Sequence, residues 1–162
     1  MLVLNSYVFY STNAFVSLAI ISSSLVGTTK TLTLDANVCN AVAETLRNKG
    51  YSVIKPTSTS ILMYEDQLNS ITSLDLSGKG LTSLSGISNF KNLKQLNISN
   101  NKITNLNDLT GLTNLEELTA NNNAQLTNID GLKKLTKLKK LEMNSSNVAR
   151  KALVIGNLTE LR

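Results

Sequence analysis

The sequence predicts an α/β chain: a right-handed solenoid with a parallel sheet on its concave side, 3₁₀-type turns on its convex side and a helical cap at its N-terminal end. Three observations predict it. Leucines recur at a fixed interval, with Leu74, Leu96, Leu118 and Leu141 separated by 22, 22 and 23 residues. Inside each interval a period of two gives way to a period of three. Upstream, residues 35–49 carry the pattern of a single amphipathic helix.

The repeat comes first because internal periodicity decides architecture. Two residues after the marker leucines stand Leu76, Ile98, Ala120 and Met143, and five residues after them stand Lys79, Asn101, Asn123 and Ser146. The second half of each unit supplies Ile87, Leu109, Leu132 and Ile155, then Phe90, Leu112, Leu135 and Leu158, then Leu93, Leu115, Leu138 and Leu161. The extra residue of the third unit falls beside Ala124 and Gln125, where NNNAQL replaces NNKI. The LxL half alternates as a strand does, so Leu96 and Ile98 share one face while Gln95, Asn97 and Ser99 share the other. The LxxLxxL half steps by three, closer to a 3₁₀ turn than to an α-helix. A three-residue strand with so short a return cannot bury its apolar side alone, so the units must stack. Where the chain turns out of each strand its backbone loses ladder partners, and a buried Asn can both donate to and accept from neighbouring turns. Asn101 and Asn123 suit that task; Lys79 and Ser146 suit it less, as expected of the end units.

The cap precedes the repeat. Asp35 caps a helix over DANVCNAVAETLRNK, Val38, Ala41, Val42 and Leu46 share its apolar face, and Gly50 stops it. Tyr51 to Ile54 reads as a short strand, Lys55 to Ser60 as a loop around the only proline, and Glu65 to Ser70 as a helical turn leading into the first repeat. This block covers the otherwise open apolar end of the solenoid. The chain accordingly divides into an uncharged apolar segment (1–29), the N-terminal cap (30–67) and about four repeat units (68–162).

Composition narrows the chemistry. The 162 residues include 28 Leu and 21 Asn but no His, no Trp and one Cys, which excludes a Ser-His-Asp triad, a Cys-His dyad and a His/Cys metal cluster. No catalytic, cofactor-binding or metal-binding residue is assigned. Cys39 lies in the cap helix and, with no second Cys, forms no intramolecular disulfide. SGKG, Ser77 to Gly80, lacks the remaining glycine and Ser/Thr of a phosphate loop, and the adjacent pairs Glu65-Asp66 and Glu116-Glu117 do not by themselves make converging carboxylates. Sequons begin at Asn97, Asn144 and Asn157, as expected by chance in a repeat rich in Asn, Ser and Thr. Residues 1–29 carry no charge, with an apolar stretch from Ala14 to Ile21. They read as an export signal or weak membrane anchor, as a strand-rich extension of the fold, or as a misplaced start.

The run ITSLDLSGKGLTSLSGISNFKNLKQLNISNNKITNLNDLTGLTNLEEL, Ile71 to Leu118, resembles the leucine-rich repeats of bacterial internalins and related surface proteins. The similarity reaches upstream through EDQLNSITSLDLSGKGL, Glu65 to Leu81, to the helical cap, and covers about residues 35 to 162. Internalins have longer arrays, often aromatic residues on the concave face, and a further C-terminal cap and wall-attachment region. The sequence here ends at Leu161 and Arg162 in mid-repeat, which predicts a fragment, a truncated reading frame or a minimal member.

The resemblance implies protein recognition by the concave face, whose outward side chains are Ser73, Asp75 and Ser77; Gln95, Asn97 and Ser99; Glu117, Thr119 and Asn121; and Lys140, Glu142 and Asn144. These residues include no Tyr, Trp or Arg anchor. A small polar groove of this kind also suits a glycan, or no ligand. The net charge of +5 concentrates downstream, where residues 71–162 hold 12 bases and 7 acids. The leucines of the run Leu132 to Leu141 keep the repeat phase, so Lys133, Lys134, Lys137, Lys139 and Lys140 occupy solvated positions between core residues. Attraction to an anionic polymer is one reading of them; specific nucleic-acid binding is not expected, for no aromatic platform accompanies them. The expectation is a non-enzymatic protein-binding module, secreted or exposed on a bacterial surface, touching membrane only through residues 1–29 if these are uncleaved. The rivals are a cytoplasmic adaptor with the same repeats and a structural fragment completed by another chain.

Overall fold

The computed structural model describes residues 27–146, which contain two sheets, two α-helices and three 3₁₀ segments. The expected features at residues 1–26, and the repeat positions Ile155, Leu158 and Leu161 with the sequon at Asn157, lie outside the described residues.

Helix α1 runs Ala36–Asn48. The Asp35 carboxylate starts it by accepting from the N–H groups of Asn37 at 2.9 Å and Val38 at 3.4 Å, two of the donors that a helix leaves orphaned. Its buried face is Val38, Cys39, Ala41, Val42, Ala43 and Leu46. At the other end Arg47 donates from Nε and Nη2 to the Val53 carbonyl at 3.2 and 3.0 Å, tying the helix to the chain that returns from it.

Beside α1 lies a three-stranded antiparallel sheet of β1 (Thr29–Thr33), β2 (Ile54–Thr57) and β3 (Ser60–Tyr64), ordered β1-β3-β2. This differs from the expected short strand over 51–54 followed by a loop: β2 starts at Ile54 and runs through Pro56. The reason is position. β2 is an edge strand, where a missing N–H need not break a ladder, and its register with β3 shifts between Ile54 and Thr57. In β3, Ile61 and Met63 are buried while Ser60, Leu62 and Tyr64 are partly exposed, the alternation of a sheet with one face in the core. Helix α2 (Glu65–Ser70) follows directly, and its Glu65 accepts from the Thr28 hydroxyl at 2.8 Å.

The repeats build the second sheet from β4 (Ser73–Asp75), β5 (Gln95–Asn97), β6 (Glu117–Thr119) and β7 (Lys140–Glu142), all parallel. Register follows the sequence columns, with Leu74 opposite Leu96, Leu96 opposite Leu118 and Leu118 opposite Leu141. Opposite the sheet, 3₁₀ segments at Ile87–Asn89, Asn107–Gly111 and Asp130–Lys134 bury Ile87, Leu109 and Leu132. One continuous core joins the cap's Leu32, Val42, Leu46 and Ile61 to the repeat rows. Removing a fully buried leucine from such a row costs about 2–5 kcal/mol. At the β7 end Leu141 and Met143 are only partly buried.

Asparagines hold the turns. Asn101 Oδ1 accepts from the N–H groups of Lys79 (3.1 Å) and Leu81 (3.0 Å), while its Nδ2 donates to the carbonyls of Leu76, Ile98 and Ser99. Asn123 repeats the pattern one coil on, accepting from Ile103 N–H and donating to Ile98, Ala120 and Asn121. A second column opens the 3₁₀ segments: Asn105 and Asn128 each accept from the N–H two residues ahead, as does Ser83 in the first unit. A third column turns left-handed at Gly78, Asn100, Asn122 and Ser145, with φ of 66°, 57°, 58° and 58°. Gly and Asn tolerate that conformation best.

The sheet is closed at its first edge. Thr45 of α1 donates its hydroxyl to the Asp75 carbonyl at 3.2 Å, and Lys49 Nζ donates to the Ser73 carbonyl at 2.9 Å. Side chains of the cap helix thereby occupy backbone acceptors that a foreign strand would use.

Candidate partner-binding face

On the side of β4–β7 away from the leucine rows, each strand carries its alternate residues: Ser73 and Asp75, Gln95 and Asn97, Glu117 and Thr119, Lys140 and Glu142. Ser77, Ser99, Asn121 and Asn144 continue these rows beyond the strand ends. All twelve sequence-predicted positions thus fall among the described residues, but they are unequal. Asp75, Gln95, Lys140 and Asn144 are exposed, and Ser99 is buried with 6% exposure. Ser99 offers a partner almost no surface; its hydroxyl accepts from the Asn121 N–H at 3.2 Å.

That bond belongs to a lateral network the sequence columns did not reveal. Asp75 Oδ1 accepts from Ser77 N–H at 2.9 Å, and Asn97 Oδ1 from Ser99 N–H at 3.0 Å. Asn121 Nδ2 donates to Glu142 Oε2 at 3.3 Å while its Oδ1 accepts from Asn144 N–H at 2.7 Å, and Lys140 Nζ sits 2.9 Å from Glu142 Oε1. The contacts of Asn121 with Ser99, Glu142 and Asn144 therefore tie side chains and backbone of neighbouring coils together. A coil-to-coil spacing of 22 or 23 residues between Ser99, Asn121 and Asn144 was the available signal.

Electrostatics follow from these contacts. Burial opposes ionisation of Asp75, but hydrogen bonds from the Ser77 side chain and backbone and from Asn97, with Lys49 nearby, together outweigh it and hold the carboxyl below its usual range. The hydrogen bond from Lys140, then that from Asn121, lowers the Glu142 pKa, and Glu142 in turn raises that of Lys140. Ser73, Asp75, Gln95, Asn97, Glu117 and Thr119 line an open groove across β4, β5 and β6.

The lysine cluster is largely committed elsewhere. Lys133 pairs with Asp130 at 2.8 Å, Lys137 donates to Asn114 Oδ1 at 2.8 Å, Lys139 pairs with Glu116 at 2.8 Å, and Lys140 pairs with Glu142. Glu116 also meets Lys94 at 3.4 Å, so one carboxylate on the flank bridges the lysines of two adjacent coils, and its pKa is lowered by Lys139 first and Lys94 second. Cys39 is buried, and burial raises its thiol pKa above the ordinary value despite Lys55 and Arg47. Among the described residues no group of three His, Cys, Asp or Glu side chains converges as metal ligands would. No described helix is long and apolar enough to cross a membrane.

Residues 69–111 and 113–152, more than half of the sequence, match the profile of Leucine Rich repeats (2 copies). The chain belongs to the leucine-rich-repeat family. Among solved structures it is similar to an internalin (inlF) from Listeria monocytogenes, with 27% identity and a TM-score of 0.60 over 78% of this chain and 34% of that one. It also resembles an internalin C2 (inlC2) from the same species, with 20% identity and a TM-score of 0.51 over 80% of this chain and 66% of that one. This leucine-rich-repeat chain thus spans about a third of the first relative's length and 66% of the second's. No curated protein matches it. It is an internalin-like leucine-rich-repeat protein, and its domain is a protein-interaction module of a kind that is generally not enzymatic.

Proposed function

We propose that the protein is an exported or surface-exposed bacterial module that captures a protein partner on the inner face of β4–β7. In this reading residues 1–29 serve as export signal or anchor, residues 30–67 as cap, and residues 68–162 as the repeat array that carries the face. The observation that carries it is the lateral network from Asn97 through Ser99 and Asn121 to Glu142 and Lys140, which ties side chains of three successive coils together on this polar face. The contact residues are Ser73, Asp75, Ser77, Gln95, Asn97, Glu117, Thr119, Asn121, Lys140, Glu142 and Asn144, with Ser99 beneath them as support. A wet, polar interface of this kind draws specificity from complementary hydrogen bonds rather than from aromatic anchors.

An anionic-polymer reading of the lysines is weaker, because Lys133, Lys137, Lys139 and Lys140 already hold partners on their own chain. Two experiments test the proposal. A partner captured on the immobilised protein and identified by mass spectrometry is titrated against a Gln95→Ala, Glu117→Ala, Glu142→Ala triple variant; binding should weaken at least about tenfold, and unchanged binding would move the site. N-terminal sequencing of the protein recovered from culture medium should find the apolar segment removed; intact Met1 in cytoplasmic protein alone would end the export reading.

A further inference from the structure

The charge on the inner face is opposite to the charge of the molecule. The sequence carries a net +5, yet the strand positions on the inner face supply the carboxylates of Asp75, Glu117 and Glu142 against one ammonium, Lys140. That ammonium is bound to Glu142 at 2.9 Å. Lys49 lies at the β4 edge with its Nζ on the Ser73 carbonyl. The Glu117 carboxylate, in the groove wall on β6, accepts no hydrogen bond from another described residue, although Lys140 on β7 is close enough to feel it. Gln95 stands directly opposite Glu117 on β5 and is exposed.

Resting on the concave-face reading, we infer that the groove across β4, β5 and β6 takes a basic, extended segment of the partner protein, with one arginine or lysine on Glu117 and Gln95 and a second on Asp75. An ionised carboxylate accepts only, through about four lone-pair sites, so Asp75 keeps acceptor capacity beyond its bonds from Ser77 and Asn97. An arginine fork suits Glu117 together with the Gln95 carbonyl oxygen. An acidic segment would meet two like charges here, and an apolar one would desolvate Glu117 and Gln95 without replacing their water.

Register sets the spacing. Glu117 lies two strands from Asp75 and two residues back along the strand direction. With about 4.8 Å between strands and about 3.3 Å rise per residue, the two Cα atoms are about 12 Å apart. An extended partner covers that span with bases at i and i+4, and this even separation keeps both on one side of its strand.

The test uses a fluorescein-labelled Gly/Ser peptide with arginines at i and i+4, and its counterpart with glutamates at the same places, titrated by fluorescence anisotropy. The arginine peptide should bind despite the protein's net positive charge, and the glutamate peptide should not. Glu117→Lys should weaken the arginine peptide at least about tenfold, whereas Glu116→Lys, an equal charge reversal on the flank, should leave it within about twofold. Melting curves of both variants verify folding, and Glu117→Gln supplies a gentler variant if Glu117→Lys fails to fold. Equal losses for Glu117→Lys and Glu116→Lys would reduce the effect to net charge and overturn the proposal. Preference for the glutamate peptide, strengthened by Glu117→Lys, would overturn it in favour of an acidic partner while the concave-face reading stood. Absence of binding by the arginine peptide would reject the basic class, leaving the triple-variant titration to judge the face itself.

Discussion

Replacing Asn101 by Ala removes a side chain that is 6% exposed and leaves two backbone donors, Lys79 N–H and Leu81 N–H, without their acceptor. A buried donor left unsatisfied costs about 1–3 kcal/mol. The Leu81 donor is fully buried and should cost near the upper part of that range; the Lys79 donor is part-buried, so water can replace the lost oxygen at lower cost. The three carbonyls that lose Nδ2 add less, since an under-satisfied carbonyl is better tolerated than an orphaned N–H. The sum is about 3 kcal/mol, a large share of the roughly 5–15 kcal/mol typical of a folded domain. Asn123→Ala orphans one donor, Ile103 N–H, and should cost about 2 kcal/mol. Asn101→Asp keeps an acceptor for both N–H groups but sets a negative oxygen against the carbonyls of Leu76, Ile98 and Ser99, so at pH 7 it should be no better than Ala and should recover on acidification. Urea unfolding followed by circular dichroism reads each as a shift in midpoint at unchanged slope. Losses below about 0.5 kcal/mol for both alanines, the size of an ordinary surface change, or a greater loss at Asn123 than at Asn101, would refute the assignment of these side chains as replacements for backbone ladder partners.

Other consequences are as direct. A Cβ on Gly131 would lie 1.8 Å from the Leu106 carbonyl oxygen, so Gly131→Ala must push two coils apart and should cost about 3 kcal/mol or more in the same assay; a variant as stable as the parent would contradict the coil spacing. In an NMR pH titration the Asp75 carboxyl should titrate below the usual Asp range, and Asn97→Ala should raise its midpoint. Because the folded-state pKa is the depressed one, the stability it contributes is present above the unfolded value and is lost as pH falls through the folded value. Asn97→Ala should shrink that acid-side loss, and an unmoved midpoint would deny the hydrogen bond. The Cys39 thiol, buried and with its pKa raised, should ignore Ellman's reagent at neutral pH until the protein unfolds; rapid labelling of the native state would contradict its burial.

The repeat was legible because its physics is local and periodic. Leu74, Leu96, Leu118 and Leu141 announce strand positions that pair in register, and the steps of three from Ile87, Leu109 and Leu132 announce 3₁₀ segments. The α1 boundaries were legible from Asp35 and Gly50. The cap sheet was not. Pro56 argues against a strand unless the strand is known to lie at an edge, which is a fact of topology. β1 begins at Thr29, at the end of the uncharged segment, where TKTLT is too short and polar to stand out. On the inner face, alternation identified which side chains leave the core, but not that Ser99 sinks beneath Asn121 or that Asn121 reaches Glu142. Those contacts depend on the distance between successive coils, which no single repeat encodes. The same holds for Glu116 between Lys94 and Lys139, which turned part of a conspicuous lysine run into an internally satisfied flank.

The proposed partner site on the inner face of β4–β7 can be read residue by residue. Cross-saturation NMR from the unlabelled partner to the deuterated, ¹⁵N-labelled protein tests it most directly, since it reports contact rather than stability. Attenuation should centre on Ser73–Asp75, Gln95–Asn97 and Glu117–Thr119 and leave the Asn107–Gly111 and Asp130–Lys134 segments untouched. Attenuation confined to those 3₁₀ segments and to Lys133, Lys134 and Lys137 would contradict it.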